Sequence, residues 1–303
     1  MLARLQQVLT LGALLIAALW AALCYRAGYP GWGLSGAALI VGSYALVLAL
    51  EFSLLHLVHA DDPTPRAKVR QLLRAWAGEV HSAPQVFCWR QPFRSQRWPD
   101  HLPADARGRR GVLLVHGFVC NRGLWNHWLE RLTAQGVPVV AVNLEPVFGS
   151  IDDGAAIIES AVRRLELATD TAPIVVAHSM GGLALRRWWA QHGDEHRVHH
   201  AITIGTPHQG TWLARFAVSL NGRQMQPHSR WLATLAALEP TSRAQRFTCF
   251  YSHCDNIVFP PASATLPGAD NRHLPGVAHV HMADHPEPWA ELQRRLAPAA
   301  VTR

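Results

Sequence analysis

The first sixty residues hold two long apolar stretches. No charge lies between Arg4 and Arg26, and a second uncharged stretch covers residues 27–50. About 20 apolar residues are enough to cross a bilayer as a helix, and the turn-rich residues 28–33 separate the two stretches. The pattern predicts a hairpin of two transmembrane helices within residues 1–60.

A cleaved signal peptide is the alternative for the first stretch. The residues Ala21-Ala22-Leu23-Cys24 resemble a lipoprotein cleavage site, but Leu23 stands where a small residue is needed. A second apolar stretch follows directly, and this arrangement favours the hairpin.

Residues 61–83 form a basic amphipathic segment next to the predicted membrane. Apolar residues recur there at i, i+3, i+4 and i+7, which is the period of a helix with one apolar face. Such a helix either lies on the inner leaflet or packs its apolar stripe on the main domain, and the pattern does not choose between them. The stripe consists of Val69, Leu72, Leu73 and Trp76.

The remaining residues, 84–303, alternate short apolar runs with helical periods. Such alternation predicts an α/β domain, in which helices cover both faces of a mostly parallel sheet. The expected strands are 85–93 at the sheet edge, 112–115, 137–142, 174–177, 201–204 and 247–251. The expected helices are 124–135, 150–167 behind a capping box, 182–191 and 286–296.

The net charge of +7 is concentrated just after the apolar stretches. Residues 61–110 carry ten basic and five acidic side chains, whereas residues 1–60 and 111–303 contribute +1 each. Nucleic-acid binding needs cations clustered on a folded face, while cations beside membrane spans set topology or contact anionic lipid. We therefore expect the membrane bilayer as a partner and no nucleic acid.

The basic residues also predict the orientation of the hairpin. An excess of Lys and Arg near the span ends marks the cytoplasmic side, so the main domain is expected in the cytoplasm, on a bacterial-type inner (cytoplasmic) membrane. On the terminal side lie Arg4, Arg66, Lys68, Arg70 and Arg74, against Arg26 in the loop.

The five cysteines form no C-x-x-C pair, and we expect them to be reduced. Only Cys249 and Cys254 are near enough in sequence for a disulfide to be considered.

Residues 174–182 place a serine between an apolar run and two glycines. They read Ile-Val-Val-Ala-His-Ser-Met-Gly-Gly, with Ser179 near the centre. A nucleophilic serine on a sharp strand-to-helix turn needs small neighbours, and its usual pattern is G-x-S-x-G. The following helix directs its first amides, including that of Met180, at developing negative charge; an ordinary glycine-containing turn is the alternative. The predicted support of the turn comes from Ala177, His178 and Gly181.

A second motif, Val-Leu-Leu-Val-His-Gly-Phe, occupies residues 112–118. Enzymes with a nucleophilic serine on such a turn bind the oxyanion with two backbone amides. One follows the serine, and the other lies in the loop after a strand of this kind. The amide of Phe118 is the expected donor, with that of Val119 as the alternative. We expect His116, beside Gly117, to orient the loop by hydrogen bonding and not to act as the base.

The catalytic acid and base should follow the serine in that order. Asp255 stands just past the strand predicted at 247–251, where a carboxylate can hold an imidazole in orientation and tautomer. His279 follows on a late loop before the closing helix and is the expected base. Its competitors are His273, His281 and His285.

Together these motifs resemble those of bacterial triacylglycerol lipases and related esterases of the α/β-hydrolase fold, including the Bacillus-type lipases. Those lipases also carry alanine at the first position of the G-x-S-x-G pattern, where this chain has Ala177. The resemblance covers about residues 84–296 and implies that Ser179, Asp255 and His279 form a catalytic triad. Ala278 departs from the usual Gly-Val-Gly-His of these lipases. The matched segments begin at His116, Ala177, Ile202, Tyr251 and Gly276.

The resemblance also implies that residues 211–240 form a small helical lid and that His208 is structural. The apolar lid residues either line an acyl pocket or form a plain packed helix pair. The histidines and acids of residues 192–200 lack the helical spacing of a zinc site, so we expect no metal and no cofactor.

The predicted function is a membrane-anchored serine hydrolase of acyl or lipid esters. An acyltransferase or thioesterase with the same serine is the first alternative, and a catalytically silent membrane partner protein with this fold is the second. Protein partners are not predicted.

Overall fold

Two long helices open the chain in the computed structural model, which describes residues 1–59 and 62–297. They are α1 (Leu2–Arg26) and α2 (Pro30–Val58), with 25 and 29 residues. Both are long and apolar enough to cross a membrane, and only 6% and 11% of their most apolar windows are buried. Neither is therefore the core helix of a globular domain. We call residues 2–58 the hairpin.

The connection within the hairpin is shorter than the predicted turn. The second helix begins at Pro30, since proline at the first helical position has the right φ and needs no hydrogen bond there. Beyond the turn the helices interlock, because Trp20 Nε1 donates to the carbonyl of Trp32 at 2.9 Å.

Residues 69–94, which follow the hairpin after a short irregular stretch, are helical throughout. It contains α3 (Val69–Pro84), a π-helix (Gln85–Arg90) and α4 (Gln91–Arg94). The prediction of an edge strand at 85–93 was therefore wrong. The buried Arg90 pairs with Asp284 at 2.8 Å, and tertiary contacts of this kind override a weak strand preference.

The apolar stripe of α3 is divided between two environments. Leu72 and Ala75 are buried, whereas Val69 and Leu73 are more than half exposed. Trp76 Nε1 donates to the carbonyl of Ala45 on α2 at 3.0 Å. The helix therefore packs on the hairpin and the domain along one side and leaves two apolar residues uncovered.

Six parallel strands form one sheet in the order β2-β1-β3-β4-β5-β6. The predicted parallel α/β sheet is confirmed, and β6 was not predicted as a strand. At the edge where 85–93 was expected, His101 instead forms an antiparallel bridge with Val139. The strands are β1 (Val112–Val115), β2 (Val139–Ala141), β3 (Ile174–His178), β4 (His200–Ile204), β5 (Phe247–Tyr251) and β6 (Asp270–His273).

Helices cover both faces of the sheet and bury two apolar cores. One core joins the sheet to α6, α7 and α9, and the other joins it to α5 and α10. The predicted capping box forms at Ser150, whose side chain accepts from the Asp152 amide, and it opens a short 3-10 turn before α6. The helices are α5 (Asn126–Ala134), α6 (Gly154–Thr169), α7 (Met180–His192), α8 (Leu220–Gln224), α9 (Arg230–Leu238) and α10 (Pro286–Leu296).

A third apolar cluster joins the hairpin to the domain. Phe52 and Leu55 of α2 are 5% and 2% exposed, and burial of such side chains contributes about 1.5–3 kcal/mol each. The end of α2 is therefore an integral contact of the domain. The predicted boundary between residues 60 and 61, and the domain end at 303, lie outside the described residues. The cluster also contains Ala67, Leu72, Ala75, Cys254, Phe259 and Ala278.

Candidate active site

Ser179 stands at the turn between β3 and α7 with a strained backbone. Its φ of 55° and ψ of −132° lie outside the regions that most residues adopt, a conformation that costs about 1–3 kcal/mol and persists only where its surroundings enforce it. Here the Ser179 amide donates to the carbonyl of Ile204 at 2.9 Å, and the Thr206 hydroxyl donates to the Ser179 carbonyl at 2.9 Å. These bonds hold the serine side chain above the carboxyl end of the sheet.

Small residues allow the strands to approach this turn closely. A Cβ at Gly117 would lie 2.6 Å from the Cβ of Ser179, and one at Gly181 would lie 2.4 Å from the carbonyl oxygen of His116. Both distances are too short for any side chain. The two glycines therefore fix the spacing between the serine turn and the loop after β1, with Ala177 fully buried in β3 between them.

The loop after β1 faces the serine turn. Phe118 and Val119 form a turn in which Val119 has a φ of 53°, an unusual value for a β-branched residue. Within residues 1–59 and 62–297 the Phe118 amide takes part in no hydrogen bond. The Met180 amide follows Ser179 directly and begins α7.

His116 is a neutral histidine that holds the loop together. Its Nε2 accepts from the Leu144 amide at 3.0 Å, and its Nδ1 contacts the Gly117 carbonyl at 2.9 Å, which requires the proton on Nδ1. Burial lowers the pKa of His116 to about 4. The side chain thus connects the loops after β1 and β2.

Asp255 and His279 meet behind the serine turn. The Asp255 Oδ2 lies 2.9 Å from His279 Nδ1, and both side chains are at least 95% buried. The other carboxylate oxygen accepts from the amides of Ile257 and Val258 at 2.9 and 2.8 Å. These bonds fix the carboxylate so that it orients the imidazole and assigns its proton to Nδ1, leaving Nε2 free to accept.

The charge of His279 depends on this partner. Burial alone lowers the pKa of His279, but the charge and hydrogen bond of Asp255 outweigh burial, so its pKa is raised above the ordinary value. Glu79 and Glu51 add to the same direction. The site therefore favours the imidazolium, the form that a general base reaches when it takes a proton.

His178 supports the loop of His279 from the serine turn. Its Nε2 donates to the carbonyl of His279 at 3.1 Å, and the two rings lie 4.7 Å apart. Burial lowers the pKa of His178 to about 3, so the ring is neutral. The residue next to the serine therefore holds the base loop near it.

The sequence of the sheet domain matches a known family. A profile described as the alpha/beta hydrolase family matches residues 112–302, which is more than half of the chain. The chain belongs to the alpha/beta hydrolase family. No curated protein sequence matches this hydrolase.

Solved structures share its fold. The mature form of a Bacillus licheniformis lipase has a TM-score of 0.57 and 17% identity, covering 66% of this chain and 98% of the lipase. For Aspergillus fumigatus lipase B the TM-score is 0.53 and the identity is 22%. This match covers 63% of this chain and 54% of the lipase. The propeptide form of the Bacillus lipase is likewise covered over 53% of its length. Identities this low show the fold alone, so the narrower grouping with Bacillus-type lipases stays a prediction.

The competing histidines of this hydrolase have other partners. His273 Nε2 accepts from the His253 amide at 3.3 Å, and His285 Nδ1 accepts from the Glu287 amide at the start of α10 at 3.3 Å. His281 is half-buried beside Gly78 on α3. Among these histidines and His279, only His279 carries a described contact with Asp255.

Three residues around the base were not predicted. Asn256 binds the His279 amide, Glu79 binds the next two amides, and Glu51 binds Asn256.

The sequence contains signals that could have identified Glu51 and Glu79. Glu51 is the only acid between residues 27 and 58, and an ionisable residue in an apolar span is a functional hypothesis by default. Glu79 lies seven residues after Leu72, on the apolar side of α3.

The predicted lid region packs closely on the domain. Met225, Leu232 and Leu235 are buried in the core beside α6 and α7, which matches a packed helix pair. Before these helices, Phe216 and Val218 are 69% and 88% exposed. The helix after this loop is joined to the loop after β2, because Asn221 donates to the carbonyl of Val147 at 2.8 Å. The next residue, Phe148, has its ring 5.9 Å from that of Phe118.

Other sequence candidates have structural roles. His208 is buried, and its carbonyl accepts from Arg186 at 2.9 Å. All five cysteines are free thiols. Within the described residues, no group of three or more His, Cys, Asp or Glu side chains is arranged to hold a metal ion.

Both ends of the hairpin lie on the same edge of the sheet as Ser179. At the start of α1, Gln6 Nε2 lies 3.5 Å from the carbonyl of Val119, in the loop after β1. Near the end of α2, Glu51 binds Asn256, in the loop after β5. The hairpin therefore stands on the carboxyl ends of the strands, where ligands of open α/β sheets bind.

Proposed function

We propose that this hydrolase cleaves carboxylic esters of acyl or lipid type with Ser179 as nucleophile, His279 as general base and Asp255 as the acid that orients it. One observation carries the proposal. The 2.9 Å contact between Asp255 and His279 Nδ1 fixes a buried imidazole, whose ring lies 4.7 Å from that of His178, the residue before the strained Ser179. Family membership supports hydrolysis, and the lipase names of the similar structures suggest an ester substrate.

The first step forms an acyl-enzyme. Ser179 Oγ attacks the ester carbonyl while His279 Nε2 takes the serine proton, and the carbonyl π electrons move onto oxygen. The Phe118 and Met180 amides then donate to the oxyanion, an interaction worth about 2.7–4 kcal/mol per donor in enzymes of this kind. The imidazolium returns its proton to the leaving alcohol as the ester C–O bond breaks.

The second step releases the acid. Water enters, gives a proton to His279 and attacks the acyl carbonyl, and the oxyanion collapses to expel Ser179 Oγ, which recovers the proton from the imidazolium. Asp255 stays ionised throughout and stabilises the imidazolium each time it forms. No step requires a group beyond the residues of the chain.

The surroundings of the serine favour an apolar substrate. Ser179 is 7% exposed, so most of its surface is in contact with protein and not with water. Phe148, whose ring contacts Phe118 in the loop after β1, is 48% exposed, and Phe216 and Val218 are 69% and 88% exposed. An acyl chain would keep these side chains away from water.

Labelling with a fluorophosphonate tests the catalytic proposal. We expect the full-length protein to react and to carry the phosphonyl group on Ser179, as identified by mass spectrometry of the labelled peptide. Prior heat denaturation should abolish the reaction, since labelling depends on the folded site. Labelling of another residue, or no labelling of the folded protein, would contradict the proposal.

We further propose that residues 1–60, which contain the hairpin, anchor the enzyme in the inner (cytoplasmic) membrane with its catalytic domain, residues 84–303, in the cytoplasm. The length and apolar surface of α1 and α2 support the anchor, and the five basic residues on the terminal side support the orientation. Residues 61–83 connect the two parts.

The membrane proposal predicts that full-length protein stays in the membrane fraction after washing with high salt and carbonate. A fluorescent protein fused after Arg303 should be bright, and an alkaline phosphatase fused there should be inactive. Fusions placed after Gly28, in the opposite loop, should give the reverse result and serve as the control. Extraction by carbonate would contradict the anchor, and an active phosphatase after Arg303 would reverse the topology.

A further inference from the structure

Two carboxylates outside the triad, those of Glu79 and Glu51, reach the loop that carries the base. Glu79 of α3 is 1% exposed. Its Oε1 accepts from the Val280 amide at 2.9 Å, and its Oε2 accepts from the His281 amide at 3.0 Å. Both oxygens of one side chain are thus used to hold the two residues that follow His279.

The second carboxylate acts through an asparagine. Asn256 is fully buried, and its Oδ1 accepts from the His279 amide at 3.2 Å. Its Nδ2 donates to Glu51 Oε2 of α2 at 2.7 Å. Three consecutive amides, those of residues 279–281, are therefore bound by side chains, and each of these connections leads to the hairpin or to α3.

Packing reinforces these bonds. Phe52 and Leu55 of α2 form one cluster with Ala278, next to the base, and Cys254, next to the triad acid. The hairpin and α3 thus contact both segments whose separation sets the distance between Asp255 and His279. A misplacement of about 1 Å in a catalytic group can lower the rate by about 100-fold, so this contact has consequences for turnover.

The carboxylates also contribute charge. Besides Asp255, the ionisable side chains that face His279 are Glu79 of α3, Glu51 of α2 and His178 of the serine turn. Burial raises the pKa of Glu79 to about 7, because its effect is larger than that of the two amide hydrogen bonds, which lower the pKa. His281, the other ionisable neighbour of α3 at this point, has its ring beside Gly78.

We propose that Glu79 and Glu51 are positioning residues for His279, so that α3 and the anchor helix α2 form part of the catalytic unit. The inference rests on the proposed function, because it concerns the same base. In this arrangement α3 sets the backbone of the base loop, and α2 fixes it through Asn256.

The kinetics of Glu79→Gln test the inference in the full-length protein. Glutamine keeps one acceptor and turns an NH₂ group towards the other amide, so the base loop shifts. We expect kcat to fall by about 10- to 100-fold with little change in KM. The acid limb of the kcat/KM profile should move slightly to lower pH, since the variant lacks the negative charge that Glu79 carries above its pKa of about 7 and that raises the pKa of His279.

Two further variants separate positioning from general destabilisation. Glu291→Gln is the matched control, because Glu291 is equally buried at 1% exposed but binds Arg272, Arg294 and Arg295. It should lower the melting temperature and leave the acid limb in place. Glu51→Gln keeps an acceptor for Asn256 and removes only the charge, so it should move the acid limb to lower pH with a smaller loss of kcat.

The outcomes are distinct. If Glu79→Gln and Glu51→Gln both keep the wild-type kcat and acid limb, the inference is overturned, as it is if Glu291→Gln moves the limb equally. If Glu79→Gln does not accumulate, the profile of Glu51→Gln decides alone. A wild-type protein that fluorophosphonate does not label counts against the proposed function, whereas a labelled wild type with unaltered variants counts only against positioning.

Discussion

Replacing Ser179 with alanine is expected to lower kcat for hydrolysis of p-nitrophenyl butyrate by about 10⁴-fold or more, since removal of the nucleophile leaves only the contributions of substrate binding and the oxyanion hole. The fold should survive. The Ser179 side chain does not cap α7, and alanine meets the same backbone strain as serine. Thermal unfolding should therefore occur within a few degrees of the wild type.

Ser160→Ala provides the matched control for this experiment. Ser160 is an exposed residue of α6, so its variant should keep wild-type turnover and labelling. Full activity of Ser179→Ala would refute the assignment of the nucleophile. Loss of activity together with loss of the thermal transition would show unfolding, and the labelled peptide would then decide.

Replacing His279 with alanine should lower kcat by about 10⁴-fold or more, because the serine proton would have no acceptor. Asp255→Ala should cost less, about 10²- to 10⁴-fold, since water and the remaining contacts still present some correctly oriented imidazole. Steady-state kinetics of both variants at a pH above the acid limb provide the measurement.

The competing histidines supply the controls for the base. His281→Ala should retain kcat within about threefold, because its backbone amide, and not its ring, binds Glu79. His285→Ala should lose about 1 kcal/mol of stability through the weakened start of α10, with turnover kept. An essential His281 or His285 beside a dispensable His279 would contradict the assignment.

The serine turn could be predicted because its information is local. Nine residues, 174–182, contain the strand, the nucleophile and the glycines, and the strain of the turn restricts which residues can flank it. Asp255 and His279 were proposed from their order along the chain and their places after a strand and before a helix. The structure brings the two together at 2.9 Å.

Contacts across long sequence separations could not be predicted in the same way. In the helical segment Gln85–Arg90, Arg90 pairs with Asp284, which is 194 residues away in the sequence. Glu79 and Val280 are separated by 201 residues and Glu51 and Asn256 by 205. Periodicity identifies the side of a helix that is apolar, but it does not identify the loop that a polar residue on that side meets.

The position of the hairpin on the carboxyl edge of the sheet has a consequence for how substrate arrives. A bilayer around the proposed anchor would place its headgroup layer next to the serine turn, so an ester lipid would come by lateral diffusion within one leaflet. Encounter would then depend on the number of ester molecules per unit of membrane area, and their concentration in the surrounding water would matter little. A lipid held in a leaflet also has its carbonyl at a set depth and its chains aligned, so part of the orientation that a dissolved substrate must gain at the enzyme would be supplied by the membrane.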